Sequence, residues 1–145
     1  MTASAVPLSA RLKGVVDALP LRPGLRVLEI GGAPGAAARE VAARVGPSGH
    51  VLVLDRSRVG IERTRSSCAE LIATGTMSTL CAPVENFALD PGVPLFDLAF
   101  ACRVGALDGR HPALYEAALR GIGRALRSRG ALYVDTGHPL HRIEL

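Results

Sequence analysis

The apolar positions of the chain alternate between helical spacing and short uninterrupted runs. Near the amino terminus, Leu12, Val15, Val16 and Leu19 are spaced as on one helix face, and Ser9 can cap a helix predicted at about 9–19. The uninterrupted runs are bounded by glycine, proline or polar residues, as is typical of buried parallel strands. Five strands are predicted, at 26–30, 50–54, 77–81, 96–101 and 131–135.

Further helices are predicted between these strands. They cover 36–45, the segment from Ser57 to about Gly75, and the segment from Pro112 to about Arg127. Strands that alternate with helices imply parallel pairing, right-handed crossovers and a ligand crevice at the carboxyl ends of the strands. The pattern therefore predicts an α/β fold with a doubly wound, mostly parallel five-stranded sheet and helices on both faces.

Composition and charge narrow the class of protein. The length of 145 residues suits one domain, and the 3% aromatic content favours a core of Ala, Val, Leu and Ile over an aromatic-rich β-sandwich. The net charge of +4 comes from 17 basic residues, of which only Lys13 is a lysine. Because the arginines are spread along the chain without a dense basic run, a solvated basic surface is predicted, and nucleic acid is not a predicted partner.

The cysteines and the amino terminus indicate the compartment. Cys68, Cys81 and Cys102 are odd in number and lack CxxC spacing, so neither a disulfide framework nor a zinc site is predicted. Met1–Leu8 has no basic start and no apolar core of an export signal, and no run of apolar residues is long enough to span a membrane. A cytoplasmic protein with reduced thiols and no membrane partner is expected.

A glycine-rich turn follows the first strand and reads Glu29-Ile30-Gly31-Gly32-Ala33-Pro34-Gly35. Glycine lets the backbone approach a ligand closely, and the helix that follows offers unpaired N–H groups and a positive dipole end. A dinucleotide fingerprint that starts at Gly31 would need glycine at 33 and 36, where the chain has alanine. A nicotinamide-dependent oxidoreductase is therefore an alternative that rests on the type of fold alone.

The order of Glu29 and the small residues at 31, 33 and 35 resembles motif I of class I S-adenosylmethionine-dependent methyltransferases, with Ala33 at the middle glycine. Asp55 ends the second strand 24 residues after Gly31, where this family has an acid that binds the ribose hydroxyls. The resemblance implies a single Rossmann-like domain over 1–145, with a core at 26–135 and a tail at 136–145. It also implies S-adenosyl-L-methionine as cofactor and S-adenosyl-L-homocysteine as product. The implied cofactor-binding residues are Glu29, Gly31, Gly32, Ala33, Gly35, Asp55, Arg56, Glu85, Asn86 and Cys102.

Two further strand ends bear on the ligand. After the third strand, the family's usual adenine-binding position holds Pro83, so Glu85 or Asn86 supplies that contact or Glu85 is a solvent-facing loop charge. After the fourth strand, Cys102 is a cofactor contact or a small core residue, and Arg103 holds an acidic substrate or forms a surface ion pair. The motifs of nucleic-acid base methyltransferases are absent there, which favours a small-molecule acceptor. No catalytic residue is assigned.

The carboxyl-terminal segment leaves the activity open. His138 and His141 form a general base or metal pair or belong to a tail, and no metal site is predicted. Only ten residues follow Asp135, so the family's C-terminal antiparallel strands are expected to be missing or reduced to one short strand. This length is consistent with a naturally minimal domain, with a homodimer whose self-association covers the sheet edge, or with a fragment or subunit completed by a partner. The two leading hypotheses are a methyltransferase and a catalytically silent cofactor-binding or scaffolding subunit completed by a partner or by self-association.

Overall fold

The computed structural model describes residues 7–145. The helices are α1 (Ala10–Ala18), α2 (Ala36–Val45), α3 (Arg58–Ser67), α4 (Ala69–Ala73) and α5 (Tyr115–Ala125), with a 3-10 turn at Pro112–Leu114. The strands are β1 (Arg26–Ile30), β2 (His50–Asp55), β3 (Met77–Cys81), β4 (Phe96–Ala101), β5 (Leu126–Val134) and β6 (His141–Ile143). The two predicted serine caps are present, since Ser9 Oγ accepts the Leu12 N–H and Ser57 Oγ accepts the Gly60 N–H.

The strands form one sheet in the order β3-β2-β1-β4-β5-β6. The first five are parallel, and β6 is antiparallel to β5. Leu28 of the central β1 lies opposite Leu52 of β2 and Ala99 of β4, so these three strands end at the same edge of the sheet. The predicted mixed α/β, mostly parallel fold is confirmed.

Side chains of the strands alternate between the two faces of the sheet and bury both. On one face, Val27 and Val53 pack with α1, α2 and α3. On the other, Leu28 and Leu54 belong to a second core that includes Ile122 of α5. Because neighbouring residues on a strand point to opposite faces, the uninterrupted apolar runs of the sequence supply both cores.

The helix predicted from Ser57 to about Gly75 is in fact two helices. Cys68 separates α3 from α4 with non-helical dihedrals, φ −116 and ψ 25. Its neighbour Ser67 is held from outside the helix, since Arg39 Nη1 donates to the Ser67 carbonyl at 2.7 Å and Ser67 Oγ donates to the Pro34 carbonyl at 2.9 Å. These tertiary hydrogen bonds explain a break that the local sequence pattern does not show.

The end of α5 also differs from the prediction, which extended that helix to about Arg127. The helix ends at Ala125, and β5 begins at Leu126 instead of at residue 131. Leu126 pairs with Phe96 of β4, and the register then shifts before Ala131 pairs with Leu98. Pairing with β4 therefore extends the strand towards the amino terminus beyond its apolar run.

The carboxyl-terminal segment requires a correction as well. The sequence predicted a five-stranded sheet with a tail at 136–145, where the antiparallel strands were missing or reduced to one short strand. The structure has that one short strand, β6, and the sheet therefore has six strands. β6 pairs with Leu132, Tyr133 and Val134 of β5. Backbone groups of β5 that would be open at the sheet edge are thus paired along these three residues.

Within residues 7–145, none of the helices has the length and apolarity needed to cross a membrane. The expectation that Met1–Leu8 lacks an export signal rests largely on residues 1–6, which lie outside the described residues.

Candidate functional site

A cleft of about 220 Å³ opens at the carboxyl ends of β1, β2 and β4. In the sheet, β2 and β3 are added on one side of β1, whereas β4 and β5 are added on the other side, so the strand order reverses at this point. Such switch points are where open α/β sheets bind ligands. The cleft is lined by Ile30, Gly31, Leu54, Asp55, Arg56, Ala82, Val84, Glu85, Arg103, Val104, Gly105, Ala106 and Leu114.

The glycine turn between β1 and α2 needs glycine at both of its ends. Gly31 has φ +71 and Gly35 has φ +104, in the left-handed region that favours glycine. A Cβ on Gly31 would lie 2.8 Å from Val104 Cγ2, and a Cβ on Gly35 would lie 2.8 Å from Cys68 Sγ. The Gly31 N–H donates to the Leu54 carbonyl at 2.7 Å. These contacts fix the turn against β2 and the loop after β4.

Ala33 takes the place of the middle glycine of this turn without backbone strain. Among residues 7–145, Arg103 is the non-glycine residue with a positive φ, so Ala33 lies outside the left-handed region. Its methyl group points at α3, because a Cβ on Gly60 would lie only 2.8 Å from Ala33 Cβ. A glycine on the facing helix therefore accommodates the alanine in the turn.

Asp55 connects the turn to the end of β2. Its Oδ2 accepts the Ala33 N–H at 3.1 Å, and its Oδ1 accepts the Ser57 N–H at 2.9 Å. An ionised carboxylate has about four lone-pair sites for hydrogen bonds. Two backbone bonds thus hold the side chain in place at the cleft and leave acceptor capacity for a ligand.

Glu29 lies beneath the turn and does not line the cleft. The residue is 3% exposed, and its Oε1 is buried without a hydrogen-bond partner. A Cβ on Gly32 would lie 2.5 Å from Glu29 Cδ, so the carboxyl group packs directly under that glycine. Burial, together with the negative charge of Asp55, raises the pKa of Glu29 from 4.5 to about 8. At neutral pH the side chain is therefore mainly protonated.

The remaining predicted site residues divide into two groups. Arg56 and Glu85 line the cleft with Gly31 and Asp55. Asn86 is exposed in a turn, where its N–H donates to the Pro83 carbonyl at 3.1 Å, and it is not part of the lining.

Cys102 also lies outside the lining and packs against the core beneath α1 and α2. Burial, together with the nearby charges of Asp135 and Glu29, raises the pKa of its thiol to about 12. The thiol is therefore protonated at neutral pH, which suits a packing role better than a nucleophilic one.

One wall of the cleft comes from the loop after β4, which the sequence did not indicate beyond Arg103. Arg103 has φ +55, its N–H donates to Asp135 Oδ2 at 3.0 Å, and its carbonyl accepts Arg110 Nη2 at 2.7 Å. These bonds hold a left-handed residue in place and direct Val104 towards Gly31. Apolar residues in an irregular loop have no periodicity, so no sequence pattern marks this wall.

The two histidines of the carboxyl-terminal segment do not line the cleft either. His138 precedes β6 and His141 begins it. In the part of the chain that the structure describes, no three His, Cys, Asp or Glu residues group together as metal ligands would.

A family model and a curated relative both relate this chain to methyltransferases. A family model described as a methyltransferase domain matches residues 27–130, more than half of the chain. A protein-L-isoaspartate O-methyltransferase of Methanothrix thermoacetophila is 34% identical over 87 residues, which are 54% of this chain and 41% of that protein. The chain thus corresponds to less than half the length of this relative.

Solved structures share the fold. Phosphoethanolamine N-methyltransferase 1 of Haemonchus contortus, in complex with phosphoethanolamine and S-adenosylhomocysteine, is 19% identical with a TM-score of 0.68, over 90% of this chain and 26% of that one. A SAM-dependent methyltransferase of Thiobacillus denitrificans, in complex with S-adenosyl-L-homocysteine, is 16% identical with a TM-score of 0.65, over 92% of this chain and 50% of that one. The family match and the shared fold lead to one conclusion: this chain belongs to the methyltransferase domain family.

Proposed function

We propose that the chain binds S-adenosyl-L-methionine in the cleft at the carboxyl ends of β1, β2 and β4 and is a methyltransferase that acts on a small-molecule acceptor. The observation that carries the proposal is the junction of the glycine turn with Asp55, which accepts the Ala33 N–H and faces the cleft. Family membership supports it, and so does the S-adenosylhomocysteine bound in two proteins of the same fold.

The lining of the cleft fits the adenosine part of this cofactor. Asp55 retains acceptor capacity for two ribose hydroxyls. Leu54, Ala82 and Leu114 supply apolar surface for a flat purine ring, and Glu85 can accept a hydrogen bond from an exocyclic amino group. We propose four further cofactor contacts. Arg56 lines the cleft, and the other three residues lie in the glycine turn, namely Gly32, Ala33 and Gly35.

Glu29 contributes to the cofactor site from below the turn. Because its carboxyl is mainly protonated at neutral pH, it packs against Gly32 as a neutral group and fixes the path of the turn. Asn86 and Cys102 lie outside the cleft lining, so we propose that neither of them contacts the adenosine part directly.

The bound cofactor supplies a methyl group on a positively charged sulfonium, and its transfer requires no covalent nucleophile from the protein. The chain's own residues would then act by positioning, which contributes roughly 7–11 kcal/mol in ideal intramolecular cases. Asp55 orients a hydroxyl-bearing ligand, and the walls around Leu54 and Val104 exclude water from one side of it. Arg56 and Arg103 place positive charge at the cleft and would favour an acceptor with an anionic group.

One observation favours the alternative of a silent, cofactor-binding subunit. The ionisable residues that line the cleft are Asp55, Arg56, Glu85 and Arg103, and His138 and His141 lie elsewhere. Histidine, the residue type most often used as a general base near neutral pH, is not among them. Turnover of isotope-labelled cofactor by the purified chain, with a panel of phenol, amine and carboxylate acceptors, would exclude this alternative.

Calorimetric titration with S-adenosylhomocysteine tests the cofactor site. The wild-type chain should bind, and Asp55→Asn should bind at least about tenfold more weakly, since the amide cannot accept at both oxygen positions. Asp90→Asn, in an exposed loop, is the matched control and should bind as the wild type does. Absence of binding at millimolar concentration, or equal affinity of wild type and Asp55→Asn, would overturn the proposal.

The cytoplasmic location and a homodimer or partner at the sheet edge remain predictions. Light scattering on the sample used for calorimetry would give the solution mass that decides the oligomeric state.

A further inference from the structure

A second concave surface, of about 420 Å³, lies at the opposite end of the sheet from the cofactor cleft. It sits where β1 and β4 begin, on the face that carries α1, and it shares no lining residue with the cofactor cleft. We call it the arginine cleft. Its rim carries four arginines, and its floor is apolar apart from Tyr133. The rim arginines are Arg22, Arg127, Arg129 and Arg142, and the floor residues are Leu25, Leu98, Ala131 and Tyr133.

The positive charge of the arginine cleft is only partly neutralised. Asp97 is the acidic residue of its lining, and its carboxylate is already engaged by the Arg26 N–H at 2.8 Å and by Arg127 Nη1 at 3.1 Å. Arg142 pairs with the exposed Glu144.

Two guanidinium groups at the rim are open to an added anion. Among residues 7–145, no carboxylate lies at ion-pairing distance from Arg22 or Arg129. Both residues are exposed, so both side chains can turn towards a ligand in the cleft.

A further arginine, Arg26, adds positive charge next to Asp97. The guanidinium of Arg26 lies over the Phe96 ring, and its Nε is buried without a hydrogen-bond partner. Burial lowers the pKa of Arg26, and the neighbouring charge of Arg127 lowers it further, while Asp97 opposes the shift. The positive charges repel one another here, and an anion bound in the cleft would reduce that repulsion.

The fold presents Arg127 and Arg129 through an irregularity in β5. Phe96 pairs with Leu126 and Leu98 pairs with Ala131, so β5 takes five residue steps where β4 takes two. Residues 127–129 are exposed in this excursion, and a Cβ on Gly130 would lie 2.9 Å from Leu126 Cβ. Bulges of this kind redirect side chains at sheet edges, often beside a functional site.

We propose that the arginine cleft binds a small ligand that carries two or more phosphate groups. Guanidinium groups match phosphate oxygens with paired hydrogen bonds, and two open arginines on one rim suit a ligand with more than one phosphate. A small molecule fits better than nucleic acid, because the surface is concave and its volume lies within the range of about 300–1,000 Å³ for small-molecule pockets. The site is independent of the proposed cofactor site, since their linings are separate.

Inorganic pyrophosphate is the probe for this site, titrated by calorimetry into the full chain at low ionic strength. The wild-type chain should bind it, and the double variant Arg22→Gln, Arg129→Gln should bind at least about tenfold more weakly. The matched control is Arg63→Gln, Arg120→Gln, which removes the same charge from exposed positions on α3 and α5 and should bind as the wild type does. Titration with S-adenosylhomocysteine should be unchanged in both double variants.

Several outcomes would overturn the proposal. They are absence of pyrophosphate binding at millimolar concentration, equal weakening in the two double variants, and displacement of pyrophosphate by S-adenosylhomocysteine. Binding of a short single-stranded RNA that depends on Arg22 and Arg129, without binding of pyrophosphate, would replace the small ligand with a nucleic acid. Failure of the cofactor titration alone would overturn the proposed function and leave this site standing.

Discussion

Replacing Glu29 with glutamine should stabilise the protein increasingly as the pH rises from about 4.5 to about 8. The folded state holds the Glu29 proton up to a pKa of about 8, whereas the unfolded chain releases it near 4.5. Because the unfolded state loses the proton first, raising the pH favours unfolding throughout this window. Glutamine does not titrate and therefore removes the effect while keeping the size of the side chain.

The expected magnitude follows from the two pKa values. Each pH unit between them costs about 1.4 kcal/mol, so the wild type should lose roughly 3 kcal/mol relative to Glu29→Gln between pH 4.5 and 7. The full loss is about 5 kcal/mol above pH 8. The amide itself can change stability by a constant amount, so the informative quantity is the slope of the difference with pH.

Urea denaturation at about pH 5, 6, 7 and 8 measures how the stability difference changes with pH. Glu62→Gln, at an exposed position on α3, is the matched control and should give a flat difference from the wild type. A flat difference for Glu29→Gln as well would mean that the buried carboxyl titrates normally. Glu29 would then not be desolvated beneath Gly32.

Three further predictions, two on packing and one on helix capping, are tested by urea denaturation. Gly123→Ala should stabilise the protein by about 0.5–1 kcal/mol, because a Cβ there meets nothing within 4 Å. Gly121→Ala should destabilise it by about 1–3 kcal/mol, because its Cβ would lie 3.0 Å from Phe87. Similar changes in the free energy of unfolding for both variants would contradict this packing. Gly60→Ala should destabilise the protein, and adding Ala33→Gly should restore stability, with a coupling energy of about 1 kcal/mol between the two substitutions. Additive effects in the double variant would exclude the contact between these two positions. Ser57→Ala should cost about 1 kcal/mol through loss of the α3 cap, and an unchanged midpoint would show that the hydroxyl does not cap the helix.

The patterns of apolar residues in the sequence predicted the bounds of most strands. The apolar runs predicted β1, β2 and β4 within a residue, since a strand buried on both faces is apolar at most positions. The weaker strand β3, which contains Ser78 and Thr79, was also predicted at its observed bounds. The break at Cys68 and the pairing of β6 escaped prediction. They depend on hydrogen bonds from Arg39 and on the edge of β5, which are distant in sequence.

The same division holds at the candidate site. The spacing of Gly31 and Asp55 was visible in the sequence, because a glycine turn and an acid at a strand end have fixed places in a parallel sheet. The residues that complete the cleft, Val104 and Leu114 among them, come from a loop without periodicity.

The sequence by itself thus determined the order of the first five strands, the glycine turn and the acid that follows the second strand. Only the tertiary structure decided that Glu29 is buried under the turn with a raised pKa, that Gly60 accommodates Ala33, and that Arg22 and Arg129 share one rim. The physical reason is that periodicity reports the burial of a residue within its own element. A pKa, a steric fit or a cluster of charges depends on which distant residues the fold brings within a few ångströms.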